Sequence, residues 1–155
     1  MDVASEPSYV HGASPVALLG ETIGQNLDRT AARVPDNDAL VSVHQGVRMT
    51  YAQFHAAVEE VARGLLALGI EPGERVGIWS PNNAEWVTLQ YATAKVGAIL
   101  VNVNPAYRTS ELAYALGQSG VSTLVLAPRF RTADYLDMLD QVTGDHDSSG
   151  GPHTA

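Results

Sequence analysis

Arg75-Val76-Gly77-Ile78-Trp79-Ser80-Pro81-Asn82-Asn83-Ala84-Glu85-Trp86-Val87-Thr88-Leu89-Gln90-Tyr91-Ala92-Thr93-Ala94-Lys95-Val96-Gly97-Ala98-Ile99-Leu100-Val101-Asn102-Val103 decides the fold. Residues 75 to 79 form a short, mostly apolar strand, and Ser80-Pro81-Asn82-Asn83 turns the chain into a helix from about Ala84 to Val96. Only Glu85 and Lys95 are charged in that helix, so most of its circumference is expected to be covered. Gly97 closes it, and residues 98 to 103 read as a buried strand of the parallel-sheet type ending at Asn104-Pro105. Strand, helix and strand in this order imply a right-handed crossover between parallel neighbours.

Working outward, the same alternation continues. Thr109 or Ser110 caps a helix through Leu112, Ala115 and Leu116, which stops at Gly117-Gln118-Ser119-Gly120. Residues 122 to 127 are the third strand, and Thr132 opens a last helix carrying Tyr135, Leu136, Leu139 and Val142. Upstream, Thr50 and Gln53 make a capping box for a helix whose stripe is Tyr51, Phe54, Val58, Val61, Leu65 and Leu68, with Gly69 just past its end. Residues 39 to 44 and 47 to 50 form a hairpin around Gln45-Gly46, and Thr22 caps a helix through Ile23, Leu27, Ala31 and Val34. The fold class is therefore α/β: a partial wound parallel sheet with flanking helices plus an N-terminal β-hairpin. Residues 1–21 are expected to be an extended leader, 22–142 the α/β unit, and 143–155, without an apolar anchor, a disordered tail.

The 155 residues fit one domain able to bury about 70% of its extended-chain surface. No cysteine is present, which removes disulfides, thiolate metal sites and a cysteine nucleophile. A formal charge of −8, with 17 acidic against 9 basic residues, argues against a nucleic-acid binder. No signal-peptide pattern or transmembrane span is expected, and the cytoplasm is the expected location.

Candidate chemistry is sparse. The chain has no Walker loop and no G-x-G-x-x-G after a strand. Ser148-Ser149-Gly150-Gly151-Pro152 lacks a lysine and a following helix, so it reads as linker. His11, His44, His55, His146 and His153 never pair at i, i+4, and Asp134, Asp137 and Asp140 read as a solvated acidic face. Ser80-Pro81-Asn82-Asn83 is more specific, because open α/β sheets bind ligands at the carboxyl ends of their strands; helix capping by Ser80 or Asn82 is the reading preferred over ligand contact.

The string R-V-G-I-W-S-P-N-N-A-E-W-V-T-L-Q-Y-A-T-A-K-V-G-A-I-L-V-N-V-N-P-A-Y-R-T-S-E-L-A-Y-A-L, residues 75 to 116, closely resembles the early part of the adenylate-forming (AMP-binding) acyl-CoA synthetases, especially bacterial fatty-acid–CoA ligases. S-Y-V-H-G-A-S-P-V-A-L-L-G-E-T-I-G at 8 to 24 is similar to their leader, and M-T-Y-A-Q-F at 49 to 54 to their hairpin-to-helix entry. K-V-G-A-I-L-V-N-V-N-P at 95 to 105 resembles their K-A-G-x-x-x-x-P-type segment. The resemblance implies a two-step reaction: a fatty acid carboxylate attacks the α-phosphate of ATP, giving acyl-AMP and pyrophosphate, and the CoA thiol then displaces AMP. In the family, the Ser/Thr/Gly-rich phosphate loop, the Tyr-Gly-x-Thr-Glu-type segment, the ribose-binding Asp and the mobile-domain lysine follow the region matched here.

The resemblance therefore implies an N-terminal fragment carrying scaffold, produced by truncation, a frameshift or a split reading frame. It assigns no catalytic, cofactor-binding or metal-binding residue to this chain. ATP, magnesium and CoA belong to the full-length family, and none is expected to be bound by the fragment. It also implies inactivity alone, a complementing chain as the candidate partner, and apolar surface and strand edges left open. The other readings are one subunit of a split ligase and a non-catalytic α/β interaction module.

Overall fold

In the computed structural model, Gly12, Val16 and residues 18–147 are described. Capping sets the first elements. Thr22 Oγ1 accepts from the Gln25 amide while Gln25 Oε1 accepts from the Thr22 amide, starting helix α1, Ile23–Arg33. Leu27 and Ala31 are its buried stripe, and Ile23 is exposed. The same reciprocal pair, Thr50 with Gln53, starts α2, Tyr51–Ala67. Its buried residues are Phe54, Val58, Ala62 and Leu65; the expected stripe ends early, because Leu68 lies beyond the helix and is exposed. Gly69, at φ +84°, ends α2 by donating to Leu66 O, and Ile70 donates back to Leu65 O and packs in the same core as Leu65.

Between α1 and α2 lie the antiparallel strands β1, Asp38–Ser42, and β2, Val47–Thr50. The expected two-residue turn is not formed. Val43–Gln45 make a 3₁₀ turn closed by Gly46 at φ +66°, so the connection is longer; separately, at the far end of the hairpin, the register shifts between Asp38 and Leu40.

The parallel sheet comprises β3, Arg75–Trp79, β4, Ile99–Val103, and β5, Thr123–Leu126, in the spatial order β4-β3-β5. Helix α3, Ala84–Val96, links β3 to β4, and α4, Thr109–Ser119, carries the chain back across β3 to β5. The two crossovers run in opposite directions, so right-handedness puts α3 and α4 on opposite faces. The cores confirm it. One face joins α1, α2 and α3 through Leu27, Phe54, Val58, Leu65 and Leu89 to Val76 and Ile78. The other gathers Leu112, Tyr135, Met138 and Val142 around Trp79 and Val103.

Several sequence expectations need correction. β4 is an edge strand rather than a buried one: Ile99 and Asn102 are exposed and only Val103 is fully covered. Arg108, not Thr109 or Ser110, is the N-cap of α4, and its amide is taken by the Glu111 carboxylate at 2.7 Å. Between β5 and the last helix an unexpected pair intervenes, β6, Arg129–Phe130, and β7, Ala133–Asp134, with Arg131 at φ +53° in the turn. The last helix, α5, therefore starts at Tyr135 and not at Thr132, and it runs to Asp147, so residues 143 to 147 are helical where a disordered tail was expected. The rest of that tail, 148–155, and most of the expected leader lie outside the described residues.

Candidate functional site

The carboxyl ends of β3 and β5 form the crevice where an open α/β sheet accepts ligands, because the chain leaves these neighbouring strands toward opposite faces. Ser80, Asn83 and Trp86 on one side and Ala127 and Pro128 on the other line a cleft of about 210 Å³ over Ile78 and Val125. The Ser80-Pro81-Asn82-Asn83 loop thus stands where the sequence put it.

The Ser80 and Asn83 side chains are turned inward, while Asn82 is exposed. Asn83, rather than Ser80 or Asn82, is the N-cap of α3, its Oδ1 accepting from the Trp86 amide at 2.8 Å. Asn83 Nδ2 donates to Ser80 Oγ at 2.9 Å, and the buried Ser80 hydroxyl donates to Pro81 O at 3.0 Å. The Ala84 amide, which would otherwise face an incoming anion, donates to Gln45 Oε1 at 2.7 Å, and Gln45 Nε2 donates to Glu85 Oε2 at 2.8 Å. Ser42 Oγ also donates to Gln45 Oε1, at 2.7 Å. The hydrogen bond from Gln45, reinforced by the backbone N–H of Glu85 itself, holds the Glu85 carboxyl below the ordinary carboxylate range. The positive end of α3 therefore already carries a carboxylate and two side-chain acceptors. Among the described residues no buried side-chain polar atom lacks a partner.

The other sequence candidates separate. Asp134 Oδ1 accepts from the Leu136 and Asp137 amides and caps α5, while Asp137 and Asp140 point to solvent. His44 is exposed, with Nδ1 3.3 Å from Ser42 Oγ, but that hydroxyl commits its proton to Gln45. His11, His153 and the Ser148–Pro152 segment lie outside the described residues.

One cluster went unread in the sequence: Asp28 of α1 with His55 and Glu59 of α2, whose ligand atoms lie within 4.8 Å of one another. His55 Nε2 stands 2.8 Å from Asp28 Oδ1 and 3.8 Å from Glu59 Oε1. The Lys95 ammonium of α3 donates to both carboxylates. His55 and Glu59 at i, i+4 were the available signal; Asp28 and Lys95 arrive from distant positions that only packing brings in.

A profile of the AMP-binding enzyme family matches residues 27–151. The chain belongs to that family. The match includes α2, α3 and the whole parallel sheet, and it runs past Val142, where the sequence placed the end of the unit. Medium-chain acyl-CoA ligase ACSF2, mitochondrial, of Bos taurus is 47% identical over 135 residues, covering 87% of this chain and 22% of the relative. The putative acyl-CoA synthetase YngI of Bacillus subtilis is 42% identical over 125 residues, 81% of this chain and 23% of the relative. Among solved structures, a putative long-chain-fatty-acid CoA ligase from Rhodopseudomonas palustris superposes with a TM-score of 0.72 at 35% identity, covering 81% of this chain and 30% of the other. The N-terminal domain of FACL13 from Mycobacterium tuberculosis gives 0.70 at 31% identity, covering 85% and 31%. The chain thus spans less than a quarter of the length of these curated relatives. As the resemblance implied, the likeness is to acyl-CoA ligases and their N-terminal domains.

Proposed function

We propose that this AMP-binding family chain is an N-terminal piece of an ATP-dependent fatty-acyl-CoA ligase, supplying framework for fatty acid activation and performing no step of it alone. Such a ligase must hold a polyphosphate, neutralise the charge that develops on it, and set a carboxylate in line with the α-phosphorus. ATP, magnesium and CoA would serve the whole enzyme. The observation that carries the reading is the filled end of α3: Gln45 and Asn83 accept from the Ala84 and Trp86 amides, at the strand ends where an anion would dock.

The partner consistent with this reading is a complementing chain that carries the phosphate-gripping segments. Edge strands β4 and β5 and the exposed Ile99 and Val125 favour it, since a longer family member has chain available to cover them.

The test is pyrophosphate release from ATP in the presence of a fatty acid, magnesium and CoA. The isolated chain is expected to release none, and a co-expressed downstream segment of a related ligase is expected to restore turnover. Turnover by the isolated chain overturns the reading; a soluble, monomeric chain that ignores the downstream segment favours a stand-alone interaction module instead.

A further inference from the structure

Lys95 lies in the last turn of α3, at the head of the K-V-G-A-I-L-V-N-V-N-P segment, and nothing in the proposed function uses it. Its stem passes Gly24 of α1 so closely that a Cβ there would lie 3.0 Å from Lys95 Cγ. Its ammonium donates to Asp28 of α1 and Glu59 of α2 and stands 3.5 Å from His55 Nε2 of α2. The lysine side chain is 12% exposed, against 50% for Asp28 and 37% for Glu59, so the cation is the more deeply set partner. Burial alone would lower its proton affinity; the hydrogen bonds to the two carboxylates outweigh that, and the net shift is upward. An ammonium held this way stays charged and unreactive, a poor nucleophile and a good tie.

The surroundings sharpen the assignment. Asp28, His55 and Glu59 are a ligand set of the kind a divalent ion uses, yet the chain's own cation already bonds both carboxylates. We propose that Lys95 is an internal counter-cation that fastens α1, α2 and α3 together, taking the place a metal ion would hold among Asp28, His55 and Glu59, and that the lysine of this segment works there and not on a substrate.

Thermal unfolding of the full 155-residue chain tests the idea. Lys95→Met keeps the stem and removes the charge, leaving two carboxylates facing each other across helices. It is expected to lower Tm by about 5 °C or more. In a chain already carrying Asp28→Asn and Glu59→Gln, the same change is expected to cost less than half as much. A Lys95→Met chain that melts with the wild type, or a loss of equal size in both backgrounds, overturns the proposal. Should Lys95→Met yield no folded protein, the Asp28→Asn/Glu59→Gln chain carries the test: it must melt below the wild type, and an unchanged Tm overturns the fastening. Zinc or magnesium added to the wild type is expected to leave Tm unchanged. A saturable rise that Asp28→Asn/Glu59→Gln abolishes would make this a metal site and overturn the proposal.

Discussion

The two faces of the sheet are built by different means. On the α2 and α3 side, long helices with side-chain caps lay regular apolar stripes on Val76 and Ile78, and an aromatic contact between Phe54 and Tyr91, edge to face at 5.3 Å, is one of many packing contacts. On the α4 and α5 side the helices run 11 and 13 residues, β6 and β7 two each, and the packing includes a fully buried aromatic stack. Trp79 and Tyr135 stack in parallel with centroids 3.6 Å apart, and each ties its polar end to the turn after β4: Trp79 Nε1 donates to Asn104 O at 3.1 Å, and Tyr135 Oη donates to Pro105 O at 2.5 Å. One face spreads its packing over three helices; the other adds a hydrogen-bonded aromatic stack to a smaller cluster. Distributed packing tolerates a lost contact, whereas a core organised on one stack concentrates its stability in it.

Truncating both faces should expose that asymmetry. Trp79→Ala is expected to cost about 4 kcal/mol, through a cavity and the lost bond to Asn104, and Phe54→Ala about 3 kcal/mol. Denaturant midpoints measure the totals. Hydrogen exchange then tells the faces apart: protection in α4 and α5 should fall first in Trp79→Ala, with α2 retained, and the comparison breaks if both variants loosen the chain uniformly.

Gly77 offers a second probe of the weaker face, because a Cβ there would sit 2.9 Å from Leu124 Cδ1 and 3.0 Å from Val121 Cγ1. Gly77→Ala is expected to destabilise by about 2 kcal/mol by forcing β5 outward, read from the same midpoints. Tyr135→Phe keeps the stack and removes the bond to Pro105, for about 1 kcal/mol. Burial pushes the Tyr135 hydroxyl above its ordinary pKa of 10.0. A group raised in the folded state contributes stability that is intact below the unfolded pKa and lost as pH climbs through the folded one. The wild type should therefore lose stability above about pH 10, and Tyr135→Phe should flatten that limb; an identical alkaline profile would disconnect the hydroxyl from folding. Of similar size is Thr50→Ala, expected to cost about 1 kcal/mol by removing the acceptor that caps α2, visible as a modest Tm decrease with exchange confined to the first turn.

The contrast also explains what could be read in advance. Thr50 with Gln53, the stripe over 51–68 as far as Leu65, Gly69 and the β3-α3-β4 alternation are local patterns, and the structure keeps them. The second face was less legible because its determinants are not local. Nothing around Tyr135 announces a stacking partner 56 positions earlier, and the two-residue strands β6 and β7 carry no periodicity, so Thr132 reads as a helix start in the sequence. β4 misled for another reason: its apolar composition is that of an inner strand, but in this chain it sits at the edge. At the crevice, the 80–83 loop was located from sequence, while Gln45 was invisible as its neighbour because 39 residues separate it from Ala84.

That glutamine has a consequence for ligand binding. Any free phosphate or carboxylate approaching the start of α3 must compete with an amide oxygen tethered by the hairpin, whose local concentration far exceeds that of a dissolved anion. Displacing it would also break the bond that Gln45 Nε2 gives to Glu85 and leave Ser42 Oγ to the more distant His44 ring, 3.3 Å away. The start of α3 thus carries an acceptor supplied from within the chain, 39 positions away in sequence.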